Sequence, residues 1–320
     1  MKADELHQNF LNVIKSAIPQ GDNLATTLAD ILCLGKEAIY RRLRGDVPFS
    51  FFEVSAISRS LNISLDNVIG TSVPSAAIFH IDKNDYLYPE DQHYASFLDC
   101  TKGFSIIASD PVSKIGYSGN SFPHTVIMRY EEILKFSTFK WMYQQKPLDL
   151  VEPYDKIEIE DRLMNLHSKY GNLLMKIKNS VYILDNMIFS YLINDIKYFY
   201  SARLISKEVV QKLKKELIIL LEELEDILMK GKFNTGNKVQ IYISSLNIPT
   251  TFTYVESTTF YFTLVQVFIL NGLISYDREM FNEIKNLMKA QQRFSTLISE
   301  TGEVQRVQFL KNQRSIIESL

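Results

Sequence analysis

The chain has 320 residues, 46% hydrophobic and 22% charged, so it can bury a substantial core and is not a disordered polymer. Its length suits about two ordinary domains. The formal net charge of −2 excludes a protein that coats nucleic acid or anionic membrane over its whole surface, and leaves only local patches for such binding.

Residues 3 to 70 read as a string of short helices. Leu6, Phe10, Leu11, Val13, Ile14 and Ile18 form a helical stripe that Pro19, Gln20 and Gly21 end. Asp22 is placed to cap the next helix, in which Leu24, Leu28, Ile31 and Leu32 recur at helical spacing. Only Cys33, Leu34 and Gly35 separate it from a third helix, which carries Ile39 and Leu43 on its inner side and ends at Gly45, Asp46 and Pro48. Two more helices follow, with Phe52, Val54, Ile57 and Leu61 inward in the first and Leu65 and Val68 in the second. Two short helices joined by a three-residue turn make a helix-turn-helix, whose crossing needs a small residue, here Ala29, and an apolar residue after the turn, here Leu34.

The stretch "LATTLADILCLGKEAIYRRLRGDVPFSFFEVSAISRSLNISLDNVIG" resembles the DNA-binding domain of the phage-repressor-like (Cro/C1, or XRE-type) bacterial regulators over roughly the first fifth of the chain. The likeness includes the glycine after the third helix and the closing "LNISLDNV". It departs from the family at Cys33, where glycine is usual because the turn tends to need positive φ. The resemblance implies that the third helix enters the major groove, with Lys36, Glu37, Tyr40 and Arg41 toward base edges and Arg44 toward phosphate. Arg42, one residue short of Leu43, flanks the inner face. Residues 1 to 70 carry seven Lys and Arg against eight Asp and Glu, so the cations are focused on one helix and a single copy should bind DNA weakly.

Residues 71 to 76 are small and read as a linker. Beyond them lies a larger domain, 77 to 320, of mixed helix and strand. "YPEDQHYASFLDCTKG" reads as helix and "FSIIASDPVSKIGYSGNSFP" as strand and loop. "HTVIMRYEEILKFSTFKWMYQQ" reads as one long helix, with Val126, Tyr130, Ile133, Leu134, Phe136 and Trp141 available for burial, and "IEDRLMNLHSKYGNLLMKIKN" as another. The 206–230 segment is the strongest helix. Val210, Leu213, Leu217, Leu220, Leu224 and Ile227 form a heptad seam of about two and a half repeats that Ile218, Leu221 and Leu228 widen. A helix buried in its own domain is the plainer reading, and an intersubunit helix the alternative. Strands follow in "KVQIYISSL", "TFTYVE" and "TFYFTLVQVFILNGLISYD", the last with Asn271-Gly272 suited to a type I′ hairpin. Helices at about 278 to 287 and 303 to 317 close the chain. The expected fold is α-rich and α+β overall: an all-α helix-turn-helix domain, then a larger α+β domain with a small antiparallel sheet flanked by helices. The order helix, strands, helix is loosely similar to small-molecule sensor domains such as GAF or PAS.

Catalytic signatures are missing: there is no GxGxxG, GxxxxGK[ST], HExxH or GxSxG, and the five histidines are scattered. "HIDKND" lacks the glycine and terminal Glu of a calcium loop and reads as a polar turn. Glu158 and Glu160 read as a solvated helix start. Cys33 and Cys100 are too few for a disulfide framework and form no zinc spacing. MKADELHQNF is no secretory signal, and the apolar stretch 260–274, with Gln266, Asn271 and Gly272, reads as strand rather than membrane span. The expectation is a cytoplasmic, non-enzymatic transcription regulator without cofactor or metal, bound to double-stranded DNA as a homodimer and not to membrane. No motif supports a small-molecule effector. The alternative is an interaction protein that turns the same helical fold to a protein partner.

Overall fold

In the computed structural model the chain divides into two units, 1–77 and 78–320. The structure describes residues 3–18, 23–61, 63, 65, 68, 77, 79–81, 91–145, 151–267 and 272–320. Among these, no helix is long and apolar enough to cross a membrane.

The first unit contains α1 (Ala3–Ala17), α2 (Leu24–Leu32), α3 (Lys36–Arg44) and α4 (Phe51–Leu61). Phe10, Ile14, Ala25, Leu28, Ile39, Ile57 and Val68 form its buried core. Asn23, rather than Asp22, caps α2: its backbone is extended and its Oδ1 accepts from the Thr26 N–H at 3.1 Å. Asp22 itself lies outside the described residues, as do the linker 71–76 and most of the expected fifth helix, of which Leu65 and Val68 are described and helical. Phe52 does not face inward as its sequence suggests. It is 78% exposed, because Val54, Ile57 and Leu61 set the buried side of α4 and a residue two positions from Val54 lies across the helix from it.

The second unit is built on one eight-stranded sheet of order β1-β7-β6-β5-β2-β3-β4-β8. The strands are β1 (His80–Ile81), β2 (Lys114–Gly119), β3 (Asn179–Asp185), β4 (Lys238–Ser244), β5 (Thr251–Glu256), β6 (Tyr261–Gln266), β7 (Gly272–Ser275) and β8 (Ser295–Leu297). The sheet is therefore mixed rather than small and antiparallel. β2 pairs with β3, and β3 with β4, in parallel, while β5, β6, β7, β1 and β8 add antiparallel strands at the two sides. Parallel neighbours need long crossovers, and helices supply them. α6 (His124–Ile127), α7 (Glu131–Gln145) and α8 (Asp161–Leu174) join β2 to β3; α9 (Ile188–Ser201) and α10 (Lys207–Lys230) join β3 to β4. α5 (Asp91–Ser109) precedes β2, α11 (Arg278–Gln292) lies between β7 and β8, and α12 (Glu303–Glu318) closes the chain.

Helices cover both faces. Tyr182, Leu184, Val239 and Ile241 face a core shared with α7, α9, α10 and α12, whereas Ile183 and Tyr242 face Ile284 and Met288 of α11. β3 was not legible as a strand for this reason: "VYIL" is buried on both sides and shows no alternation. The seam of α10 is filled inside the unit, with Val210, Leu213, Leu217, Leu220, Leu221, Leu224, Ile227 and Leu228 all buried. Ser206 caps its start and Gly231, at φ 59°, ends it.

Two further expectations change. The segment 124–145 is two helices, because Glu216 of α10 accepts the N–H groups of Glu132 and Ile133 at 3.2 and 2.9 Å, satisfying first-turn donors that a continuous helix would have bonded to its own preceding turn. Gly272 is a strand residue paired with Gln266 and not a turn residue, and Asn271 lies outside the described residues.

Candidate nucleic-acid interface

The geometry of α3 follows from its neighbours in sequence. α2 ends at Cys33, whose backbone takes the left-handed conformation at φ 53°, ψ 40°. The N–H of Cys33 and that of Leu34 both bond to the Ala29 carbonyl, the latter at 3.1 Å, which closes the turn in three residues. Gly35 then stands as the N-cap of α3 in extended backbone. At the far end Gly45, at φ 83°, lets its N–H reach the Arg42 carbonyl at 3.0 Å and the Asp46 N–H reach that of Arg41 at 2.9 Å. Ile39, fully buried, pins the inner side.

That anchoring leaves Lys36, Glu37, Tyr40, Arg41 and Arg44 together on the exposed side. Their positions, i, i+1, i+4, i+5 and i+8, describe one helix face. The charges on this face are not equivalent. Arg44 is held by Asp46, Nε to Oδ2 at 3.0 Å, and lies 3.8 Å from Glu37 Oε1. Among the described residues Lys36 and Arg41 form no ion pair and are the cations ready for an outside partner. Tyr40, 42% exposed, stands between them with its ring in reach of the surface.

Arg42 has a different task. Its Nη2 and Nε bond Glu53 of α4 at 2.7 and 3.1 Å, and its Nη1 bonds the Ala38 carbonyl at 3.1 Å. Glu53 also accepts from the Ser50 N–H at 2.8 Å, and the Ser50 Oγ receives the Glu53 N–H at 3.3 Å. This reciprocal pair is a capping box. Burial pushes the Glu53 carboxyl up, but the bonds from Arg42 and Ser50 outweigh it and hold the group below the usual carboxylate range. The bidentate pair fixes α4 against α3 and so sets the angle at which the cationic face is presented. Sequence reasoning passed over Glu53, although "SFFE" carries the S-x-x-E signal of the box. It also passed over the consequence for Phe51, which with Phe52 is more than three-quarters exposed at the start of α4.

The other sequence candidates stay apart. Asp82 and Asp85 of "HIDKND" lie outside the described residues. Glu158 and Glu160 are exposed, and Glu160 is the N-cap of α8 with no capping side-chain bond, its Oε2 instead accepting from Arg162 Nε at 2.6 Å. Cys33 and Cys100 are exposed and unbridged. Among the described residues no group of three or more His, Cys, Asp or Glu is placed to hold a metal ion. Comparison with known proteins returns nothing for this chain: no family model, no curated protein and no solved structure matches it.

Proposed function

We propose that the chain is a sequence-specific DNA-binding transcription regulator of the cytoplasm, with α3 laid in the major groove and the second unit serving to pair two copies. What supports this reading is the exposed face of Lys36, Glu37, Tyr40, Arg41 and Arg44 on a nine-residue helix, carried by a three-residue turn after α2. Arginine and lysine can pair with guanine edges or phosphates, glutamate can accept from cytosine, and a short helix anchored by one buried isoleucine fits the groove. The reading needs no catalytic group and no cofactor.

The test is a binding titration on DNA selected from a random pool. Affinity should fall steeply, by orders of magnitude, between roughly 50 and 200 mM salt, as phosphate contacts demand. Arg41→Ala should weaken specific binding by roughly 1–3 kcal/mol with unchanged circular dichroism. An unchanged affinity in a folded variant would overturn the assignment. A second reading, a protein-interaction module, is favoured by Phe51 at 83% and Phe52 at 78% exposure. Binding of that kind would depend on those two rings and little on salt.

A further inference from the structure

A cleft of about 690 Å³ opens at the carboxyl ends of β3 and β4, under α12. Its volume lies within the range of small-molecule sites, roughly 300 to 1,000 Å³. It lies beyond the last residues of these two parallel strands. Ile243, Ile298, Phe309 and Ile316 give it apolar ground, while Asn186, Ser244, Thr296, Gln308, Asn312 and Gln313 give it amides and hydroxyls. Every side chain lining it is uncharged.

Gln313 is the feature that points to a ligand. It is 2% exposed, its Nε2 donates to the Asn186 carbonyl at 3.3 Å, and its Oε1 has no hydrogen-bond partner among the described residues. The Nε2 bond fixes the sense of the amide, because the reversed amide would set oxygen against oxygen. A buried acceptor without a partner is costly, and the residue that carries it is part of the cleft wall. Burying a charged ligand against this wall would leave the charge unpaired, so the wall selects against anions and cations. What fits is an uncharged molecule with many O–H donors and one C–H-rich face to lie on Phe309 and the isoleucines. We infer that the cleft binds a neutral, hydroxyl-rich small molecule, a free sugar or the sugar of a nucleoside, with Gln313 Oε1 accepting one of its hydroxyls. This site stands independently of DNA binding by α3.

The experiment uses the full chain without DNA, with saturation-transfer NMR and calorimetry against neutral mono- and disaccharides, nucleosides and the phosphorylated forms of both. Neutral compounds should bind, and their phosphates at least about tenfold more weakly. Saccharides alone, or nucleosides alone, would identify the source. Gln313→Leu keeps the volume and removes the unpaired acceptor, so it should weaken binding by about tenfold or more while the melting temperature holds or rises. Should that variant fail to fold, Gln308→Ala and Asn312→Ala, at exposed positions on the cleft, carry the test with smaller losses. Lack of binding by all neutral compounds at millimolar concentration would overturn the inference. So would preference for the phosphates, or binding that these folded variants leave unchanged.

Discussion

Cys33 holds a left-handed backbone at φ 53° that its Cβ disfavours by about 1–2 kcal/mol. Its side chain is exposed and makes one long sulfur contact, 3.8 Å, to the Asp30 carbonyl, so little packing offsets that strain. Glycine relieves it but gives the unfolded chain more freedom. Cys33→Gly should therefore raise the stability of the first unit by about 0.5–1 kcal/mol. Hydrogen exchange at the α2 and α3 amides reads this, and a loss of protection would show that the turn does not rest at that φ. In the second unit two histidines are shifted by their surroundings. Burial lowers His124 from 6.5 to about 4; some of its atoms remain accessible, but its Nε2 is enclosed without a partner among the described residues. Burial, with a contribution from His124, lowers His167 from 6.5 to about 3. Below about pH 6.5 the unfolded chain takes up protons that the folded one refuses. The stability due to the neutral rings is thus whole above that pH and is lost as pH falls through about 4 and then 3. Each ring contributes a slope of up to about 1.4 kcal/mol per pH unit. Urea unfolding between pH 7.5 and 4.5 should be distinctly flatter for the double variant His124→Gln, His167→Gln; parallel curves would refute the shifts.

At the scale of elements, the first unit depends on how closely α2 approaches α3. Ala29 is half-buried, packs against the unit's core, and its carbonyl takes both turn N–H groups. A larger side chain there must push the helices apart or strain the turn. Ala29→Leu should cost roughly 1–3 kcal/mol, read as lost exchange protection in α2 and α3 of the full chain while the sheet amides keep theirs. Equal protection would mean that the two helices do not meet at Ala29. The same logic explains α10 in the other direction. Its seam resembles a coiled-coil stripe, yet each seam residue is met by neighbours from its own unit, so its apolar face is spent on the sheet and on α7, α9 and α12. A contact between copies, if formed by this unit, must use other surface.

For the whole molecule, on the proposed DNA-binding reading, an α3 face on which, among the described residues, two cations stand outside ion pairs offers few phosphate contacts, and a single copy belongs to the weakly binding regime. Joining two readers makes the second contact intramolecular and multiplies affinity. The expected outcome is a two-fold dimer formed through residues 78–320, on a palindromic site with half-sites about 34 Å apart or a multiple of that. Sedimentation of the full chain at micromolar concentration checks it: a monomer that still binds DNA tightly would refute the dimer.

The sequence by itself determined the local things. The three-residue turn after α2, the stop of α3 at Gly45 and the strength of α10 follow from spacing and breakers that act within a few residues, while the outward row of Lys36, Tyr40 and Arg41, exposed in the structure, was implied by the resemblance to the repressor-like regulators. What reached across the chain was hidden from it. β2 and β3 give no alternation because both faces are buried, and β4, which does alternate, carries no mark of its parallel partner; the break before α7 depends on Glu216, some 80 residues away; and the partner of Arg42 is chosen by the packing of α4. The cleft beside Gln313 joins residues of β4 and β8, of the segments that follow β3, β4 and β8, and of α12, and an acceptor left without a donor is a property of three-dimensional enclosure. Short-range pattern records which face a residue prefers, and only the tertiary structure decides what meets it there.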